Sequence, residues 1–301
     1  MSTFSFSDRL HTGIPLVADG ATGTNLLRRG LPEGTPPERW VLERPELIQQ
    51  LAAEFVAAGA DIILTCTFGA TALRLRHADL GDRMAEINAR AAALARAAVA
   101  GTATLVAGSL GPTGEMLKPY GPLAEEEAAQ AYADQARILT ESGVDLLVIE
   151  TQFDLTEAKA ALRGVRSVSP LPVVVSFSFD RGTRTMMGVK PEQVGREFTA
   201  LGADAIGINC GRSLEDNVKA LHQLRAATEL PLWFKPNAGL PHTDEITGQV
   251  TYNVTPEQMG AAAPTWLAAG AQIVGGCCGT SPEHLQAIAR AVKTRPAPPQ
   301  P

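Results

Sequence analysis

The sequence predicts an α/β protein built as one single-domain (β/α)8 TIM barrel. Three observations predict it. Eight short apolar runs rich in β-branched residues recur along the 301 residues. Amphipathic helical stretches separate them. A glycine closes several of those helices just before the next run, as expected where a helix ends in the left-handed conformation. Runs apolar along their whole length suit strands buried on both faces, as in a parallel sheet wrapped by helices. A doubly wound open sheet is the alternative, and eight even units in a chain of this length favour closure.

In order, the runs are "PLVADG" (15–20), "ADIILTCT" (60–67), "ATLVAGSLG" (103–111), "VDLLVIET" (144–151), "LPVVVSFSF" (171–179), "ADAIGINC" (203–210), "LPLWFKPN" (230–237) and "AQIVGGCC" (271–278). Among the helical stretches, "PELIQQLAAEFVAAG" puts Leu47, Ile48, Leu51, Phe55 and Val56 on one stripe. Asp154 with Glu157 and Thr255 with Gln258 fit capping boxes. Pro256 takes a first helical position, and Ser281–Pro282 repeats that start. Gly59, Gly143, Gly202 and Gly270 are the closing glycines. Residues 1–14 read as an N-terminal extension, 15–293 as the barrel and 294–301 as a flexible proline-rich tail. The connection 239–255 is long for a strand-to-helix loop and reads as a flap or a surface hairpin.

Composition excludes several classes. With 45% apolar and 19% charged residues the chain reads as an ordinary globular protein, without a run able to span a membrane. Its start lacks the pattern of a signal peptide, so a cytoplasmic location is expected. A net charge of −6 argues against a nucleic-acid partner. Four cysteines (Cys66, Cys210, Cys277 and Cys278) are too few for a disulfide scaffold in a chain this long. Neighbouring thiols then mean packing, metal or catalysis.

Reactive groups in such barrels gather at the C-terminal ends of the strands. Asp19, Cys66, Glu150, Cys210, Asn237, Cys277 and Cys278 all fall there. Cys210 ends the sixth run, and Cys277 and Cys278 end the eighth, so the three thiols can meet on either side of the seventh. Three thiolates with one open position make a catalytic zinc set. Gly275, Gly276 and Gly279 permit the sharp bend that adjacent ligands need. Packed core cysteines or a vicinal disulfide remain compatible with the same residues, and Cys66 reads as packing. Asp19 and Glu150 put two anions in one cavity, which an amino-acid ammonium satisfies. A turn at "DG" and a hydrogen bond to a helix end are the structural alternatives for the two.

The stretches "DGATGTNL", "GSLGPTGE", "ETQFDLTEAKAAL", "GINC", "PNAG" and "GGCCGT" resemble the homocysteine S-methyltransferase family. They look most like the homocysteine-binding module of cobalamin-dependent methionine synthase. The resemblance implies Zn²⁺ held by Cys210, Cys277 and Cys278, with the homocysteine thiolate as fourth ligand. Asn237 then fills that position in the substrate-free state. Asp19 and Glu150 hold the substrate ammonium, Gly20 and Thr67 adjoin it, and no side chain acts as acid or base. Methionine is the product. Betaine is disfavoured as methyl donor, since Gly69 and Thr151 stand where tyrosines are expected. Gly279 replaces the arginine of relatives that use S-methylmethionine, which leans toward methylcobalamin loaded from methyltetrahydrofolate. The corrinoid motif D-x-H-x-x-G is absent, so a separate corrinoid protein would deliver that methyl, unless a small sulfonium such as S-methylmethionine does. Two rival chemistries stay open: a lyase forming a Schiff base on Lys235, and a non-catalytic zinc- or thiol-binding subunit with Cys66 as fourth ligand.

Overall fold

A computed structural model describes residues 5–243 and 250–293. Its main sheet holds eight parallel strands: β1 (Leu16–Val17), β2 (Ile62–Leu64), β3 (Leu105–Leu110), β4 (Leu146–Gln152), β5 (Val173–Phe177), β6 (Ala205–Cys210), β7 (Leu232–Pro236) and β10 (Ala271–Val274). Between the last two, β8 (Pro241–Thr243) and β9 (Val250–Tyr252) pair antiparallel as a separate hairpin. The sheet runs from β2 through β7 to β10 and β1. A parallel bridge between Ala18 and Ile62, with Asp19 N donating to Ile62 O at 2.9 Å, joins β1 back to β2. The barrel is therefore closed, as the eight even units predict.

The helices are α1 (Phe6–His11), α2 (Thr22–Arg28), α3 (Glu38–Glu43), α4 (Pro45–Ala57), α5 (Ala72–Leu75), α6 (Met84–Ala98), α7 (Glu125–Glu141), α8 (Leu155–Val168), α9 (Pro191–Ala200), α10 (Leu214–Arg225), α11 (Pro256–Ala268) and α12 (Pro282–Lys293). The apolar stripe of α4 behaves as its spacing predicts. Ile48, Leu51 and Phe55 are buried, and Leu47 and Val56 pack half-buried against the same core. No helix among the described residues is long and apolar enough to cross a membrane.

Strand alternation fills the barrel in layers. Leu105 and Ala107 on β3, Leu146 and Val148 on β4, and Trp233 on β7 belong to one interior apolar cluster. The next inward positions up those strands are Ser109, Glu150 and Lys235, which line a cavity at the mouth. The interior is thus apolar low down and polar at the top. Phe6 of α1, 1% exposed, joins the lower cluster, so the segment before β1 contributes a side chain to the barrel interior.

Three local expectations meet the structure differently. The closing glycines Gly59, Gly143, Gly202 and Gly270 all take positive φ, between +74° and +103°. The Thr255–Gln258 capping box forms at α11. At α8 the box does not form. Asp154 accepts from Thr156 N at 2.7 Å, while Glu157 turns inward to accept from Thr113 N, Thr113 Oγ1 and Tyr132 OH. A buried carboxylate with three donors outweighs a solvent-exposed bond to a helix end. β1, β2 and β10 are also shorter than their apolar runs, because the last residues of each run leave the sheet to build the mouth. The tail 294–301 and residues 244–249 of the connection lie outside the described residues.

Candidate active site

Two strand ends, those of β6 and β10, bring the thiols together. Inward-facing Asn209 precedes Cys210, so alternation alone would point Cys210 at the helices. Instead Cys210 takes φ +60° and Gly211 φ +76°, with Asn217 Nδ2 donating to Cys210 O at 2.7 Å. A left-handed pair here turns the chain and puts the Cys210 sulfur in the mouth. Gly275 keeps the other partner close: a Cβ there would lie 2.5 Å from Ala18 O. Cys210 Sγ then lies 3.1 Å from Cys277 Sγ and 3.8 Å from Cys278 Sγ, and all three sulfurs fall within 4.8 Å of one another.

The three sulfurs suit a metal ion in both distance and donor chemistry. Tetrahedral zinc–sulfur bonds of about 2.3 Å separate ligand sulfurs by about 3.8 Å. The Cys210–Cys278 separation matches that value, the Cys210–Cys277 separation is shorter, and three soft thiols are a donor set that suits zinc. Hydrogen bonds from Cys210 and Cys277 hold the Cys278 thiol well below its ordinary range, with a further bond from Tyr252. The same cluster, Cys277 first, pushes Cys210 up. Asn237 lies just beyond β7, its Nδ2 donating to Gly211 O at 2.8 Å. Its Oδ1 is buried and finds no partner among the described residues, which suits a polar group waiting for a ligand. All four cysteines are free thiols, and Cys66 is buried outside the cluster.

Beside the thiols the mouth opens into a cavity of about 390 Å³, lined by Asp19, Gly20, Glu150, Lys235 and all three clustered cysteines. Asp19 is not a free anion. Its Oδ1 accepts from Lys235 Nζ at 2.5 Å and its Oδ2 from Leu64 N at 2.7 Å. Burial disfavours the Lys235 charge, but the Asp19 and Glu150 carboxylates outweigh it and hold the ammonium above its ordinary range. Lys235 is therefore an ion-paired side chain, an arrangement that speaks against the Schiff-base reading, because a lysine nucleophile must be neutral. Glu150 Oε1 accepts from Ser109 Oγ at 2.5 Å, and burial raises its pKa to about 7. Gly20 packs under the Phe55 ring, where a Cβ would meet Cε1 at 2.6 Å. Thr67 is not at the cavity wall. It is fully buried, bonded to Thr65 Oγ1 at 2.6 Å and to Ser109 O at 2.8 Å, and Thr65 lines the cavity in its place.

Sequence reasoning missed the outer half of the cavity, lined by Leu27, Pro36, Pro37, Glu38, Phe68 and Arg74. Glu38 is buried and accepts from Gly69 N at 2.5 Å; burial raises its pKa. Arg74 stacks over Phe68 at 5.1 Å and donates to Pro112 O at 3.1 Å. Both come from short helices within the strand-to-strand connections, α3 and α5, and not from strand ends, so no strand alternation marks them. A Cβ on Gly69 would sit 3.1 Å from each of Glu38 and Arg74, which occupy the space an aromatic side chain at 69 would need. Tyr252 was also missed. From β9 its ring covers Gly279, which the long connection's hairpin therefore brings against the cysteine loop. His284 ties the two together, with Nε2 2.9 Å from Val254 O and Nδ1 2.9 Å from Ser281 Oγ.

A closed (β/α)8 barrel whose mouth sets a thiol cluster beside a pocket of buried charged groups is the arrangement of a barrel enzyme with its site at the strand ends. The family model described as homocysteine S-methyltransferase matches residues 16–292, and the chain belongs to that family of methyltransferases. It resembles the homocysteine methyltransferase MmuM from Escherichia coli. The metallated form matches at 27% identity and a TM-score of 0.77, over 92% of this chain and 96% of that one. The apo form matches at 29% and 0.70, over 92% and 95%. Dihydrodipicolinate synthase from Cyanidioschyzon merolae, at 14% identity and a TM-score of 0.53 over 92% of this chain and 74% of that one, shares the fold alone.

Proposed function

We propose that the protein methylates homocysteine to methionine at a zinc centre held by Cys210, Cys277 and Cys278, with a small sulfonium as methyl donor. The observation that carries this is the geometry of the mouth: three thiols within 4.8 Å of one another open directly onto a pocket of buried carboxylates. A metallated form among the similar structures supports a metal here. Bound zinc would supply one thing, a substrate sulfur kept as thiolate at neutral pH, where a free thiol is mostly protonated.

The chain's own residues do the rest. Glu150, with Asp19 and Lys235 beside it, holds the amino-acid end of homocysteine, and Gly20 lines the cavity next to it. Asn237, its Oδ1 unpartnered, stands in for the substrate sulfur when the pocket is empty. The substrate sulfur forms a bond to the donor methyl, and the electron pair of the breaking sulfur–methyl bond stays with the donor. No proton moves in that step, consistent with a cavity lined, among the described residues, by no histidine. Walls of Leu27, Pro36, Pro37 and Phe68 exclude water from the methyl group.

Glu38 favours a sulfonium. A carboxylate buried in the donor half of the pocket, bonded by Gly69 N and facing the Arg74 charge, is stabilised further by a positive charge brought to it. Betaine fits poorly, since a quaternary ammonium needs aromatic faces and Phe68 is already covered by Arg74. The experiment is methionine formation from homocysteine by zinc-loaded protein, with S-methylmethionine, methylcobalamin and betaine compared. Turnover with S-methylmethionine and equimolar zinc in the active protein is expected. Turnover with methylcobalamin alone would make a corrinoid protein the donor and overturn the sulfonium reading.

A further inference from the structure

The three charged groups of the pocket are unequally committed. Asp19, Glu150 and Lys235 are 3%, 8% and 3% exposed and line the same cavity. Asp19 has both oxygens occupied, by Lys235 Nζ and by Leu64 N. Glu150 has one oxygen engaged, by Ser109, and no hydrogen bond to its other oxygen is described. Lys235 carries three N–H donors. Asp19 is the single hydrogen-bond acceptor described for them, with the Trp233 ring 5.6 Å away. With Asp19 and Lys235 already paired, Glu150 is the carboxylate left without a counter-ion, and a substrate ammonium supplies one. A zwitterion brings that ammonium together with a carboxylate one carbon away, so the groups that bind the two must be neighbours.

We propose that Lys235, braced by Asp19, binds the carboxylate of the amino-acid substrate while Glu150 binds its ammonium, making Lys235 the residue that restricts the pocket to α-amino acids. This rests on homocysteine as substrate, and it divides roles that a pair of bare carboxylates would share. Without Lys235 the pocket would accept an aminothiol lacking the carboxylate about as well as the amino acid. With it, that analogue leaves a buried cation short of a partner, the arrangement by which sites reject ligands missing a polar group.

Calorimetric titration of the zinc-loaded protein with methionine and with 3-(methylthio)propylamine, the same molecule without its carboxylate, tests this without any methyl donor. Wild-type protein is expected to prefer methionine by about a hundredfold, and Lys235→Met to lose at least about tenfold of that preference. Lys235→Met leaves Asp19 buried and unpaired, so the double variant Asp19→Asn with Lys235→Met, which removes both charges, is measured beside it. The double variant should lose the preference as well. Preference retained in the variant that folds, or failure of wild-type protein to bind methionine, overturns the proposal. Intact preference in a protein that methylates homocysteine from no donor would instead sink the functional reading and leave an amino-acid site standing.

Discussion

Glu150 shows how a single residue trades stability for chemistry. Its pKa of about 7 lies above the ordinary 4.5 chiefly because it is buried. Between those values the folded protein keeps a proton that the unfolded chain has released. Stability therefore falls as pH rises through this window, by about 3 kcal/mol in all at 1.36 kcal/mol per unit. Glu150→Gln removes that cost, so its thermal midpoint should exceed wild type at pH 8 and match it near pH 5. Calorimetry at the two values checks this, and an equal gain at both would show that charge burial is not the cause. Binding runs the opposite way. Only the carboxylate holds an ammonium, so methionine should bind more tightly as pH rises through about 7, and Glu150→Gln should bind it weakly with no such rise.

At the scale of elements, Asn209 near the end of β6 ties four parts of the rim together. Its Oδ1 accepts from Thr151 N at 2.8 Å and from Ser176 Oγ at 2.7 Å. Its Nδ2 donates to Thr151 Oγ1 at 2.6 Å and lies 3.8 Å from Cys277 Sγ. Thr151 takes φ +60°, which a β-branched residue adopts only under constraint. One amide thus holds the strained end of β4, the middle of β5 and the cysteine loop in register. Asn209→Ala should cost about 2–3 kcal/mol in urea unfolding and weaken zinc about tenfold in chelator competition, the usual scale for groups behind metal ligands. Unchanged zinc affinity would show that the long contact to Cys277 carries nothing. How legible such elements are depends on where their contacts lie. The Thr255–Gln258 cap is a bond across three residues and was readable; the box at Asp154 failed because Glu157 answers to Thr113, forty-four residues away.

Across the whole molecule, the barrel is closed at its floor by a side chain from outside the repeat. Phe6 sits among Leu16, Ala18, Leu105 and Leu146 in the interior cluster. Phe6→Ala should lower stability by about 3–5 kcal/mol, as for other buried aromatics cut to a methyl group. Homocysteine affinity should change little, because the floor lies at the opposite end from the mouth. A loss below about 1 kcal/mol in denaturant unfolding would show that the segment before β1 packs loosely in solution. Trp233, in the layer above Phe6, fixes a second long-range demand. Gly207 on the neighbouring strand has no side chain because the Trp233 backbone and Cβ take its place.

The sequence by itself determined the barrel, the gathering of polar residues at one end and the pairing of Cys210 with Cys277 and Cys278. Each follows from local periodicity or from strand order, which parallel βα units impose without further information. Tertiary structure alone decided the commitments among those residues. Lys235 is a counter-ion to Asp19 because two strand ends 216 positions apart meet across the mouth. Cys210 faces inward against strand alternation because Asn217 secures a left-handed turn. Thr65 and not Thr67 reaches the cavity because β2 ends at Leu64 and the chain bends there. Glu38 and Arg74 enter the pocket from connections, whose paths no periodicity encodes. Charge neutralisation and loop path are properties of groups close in space, and spacing along the chain does not report them.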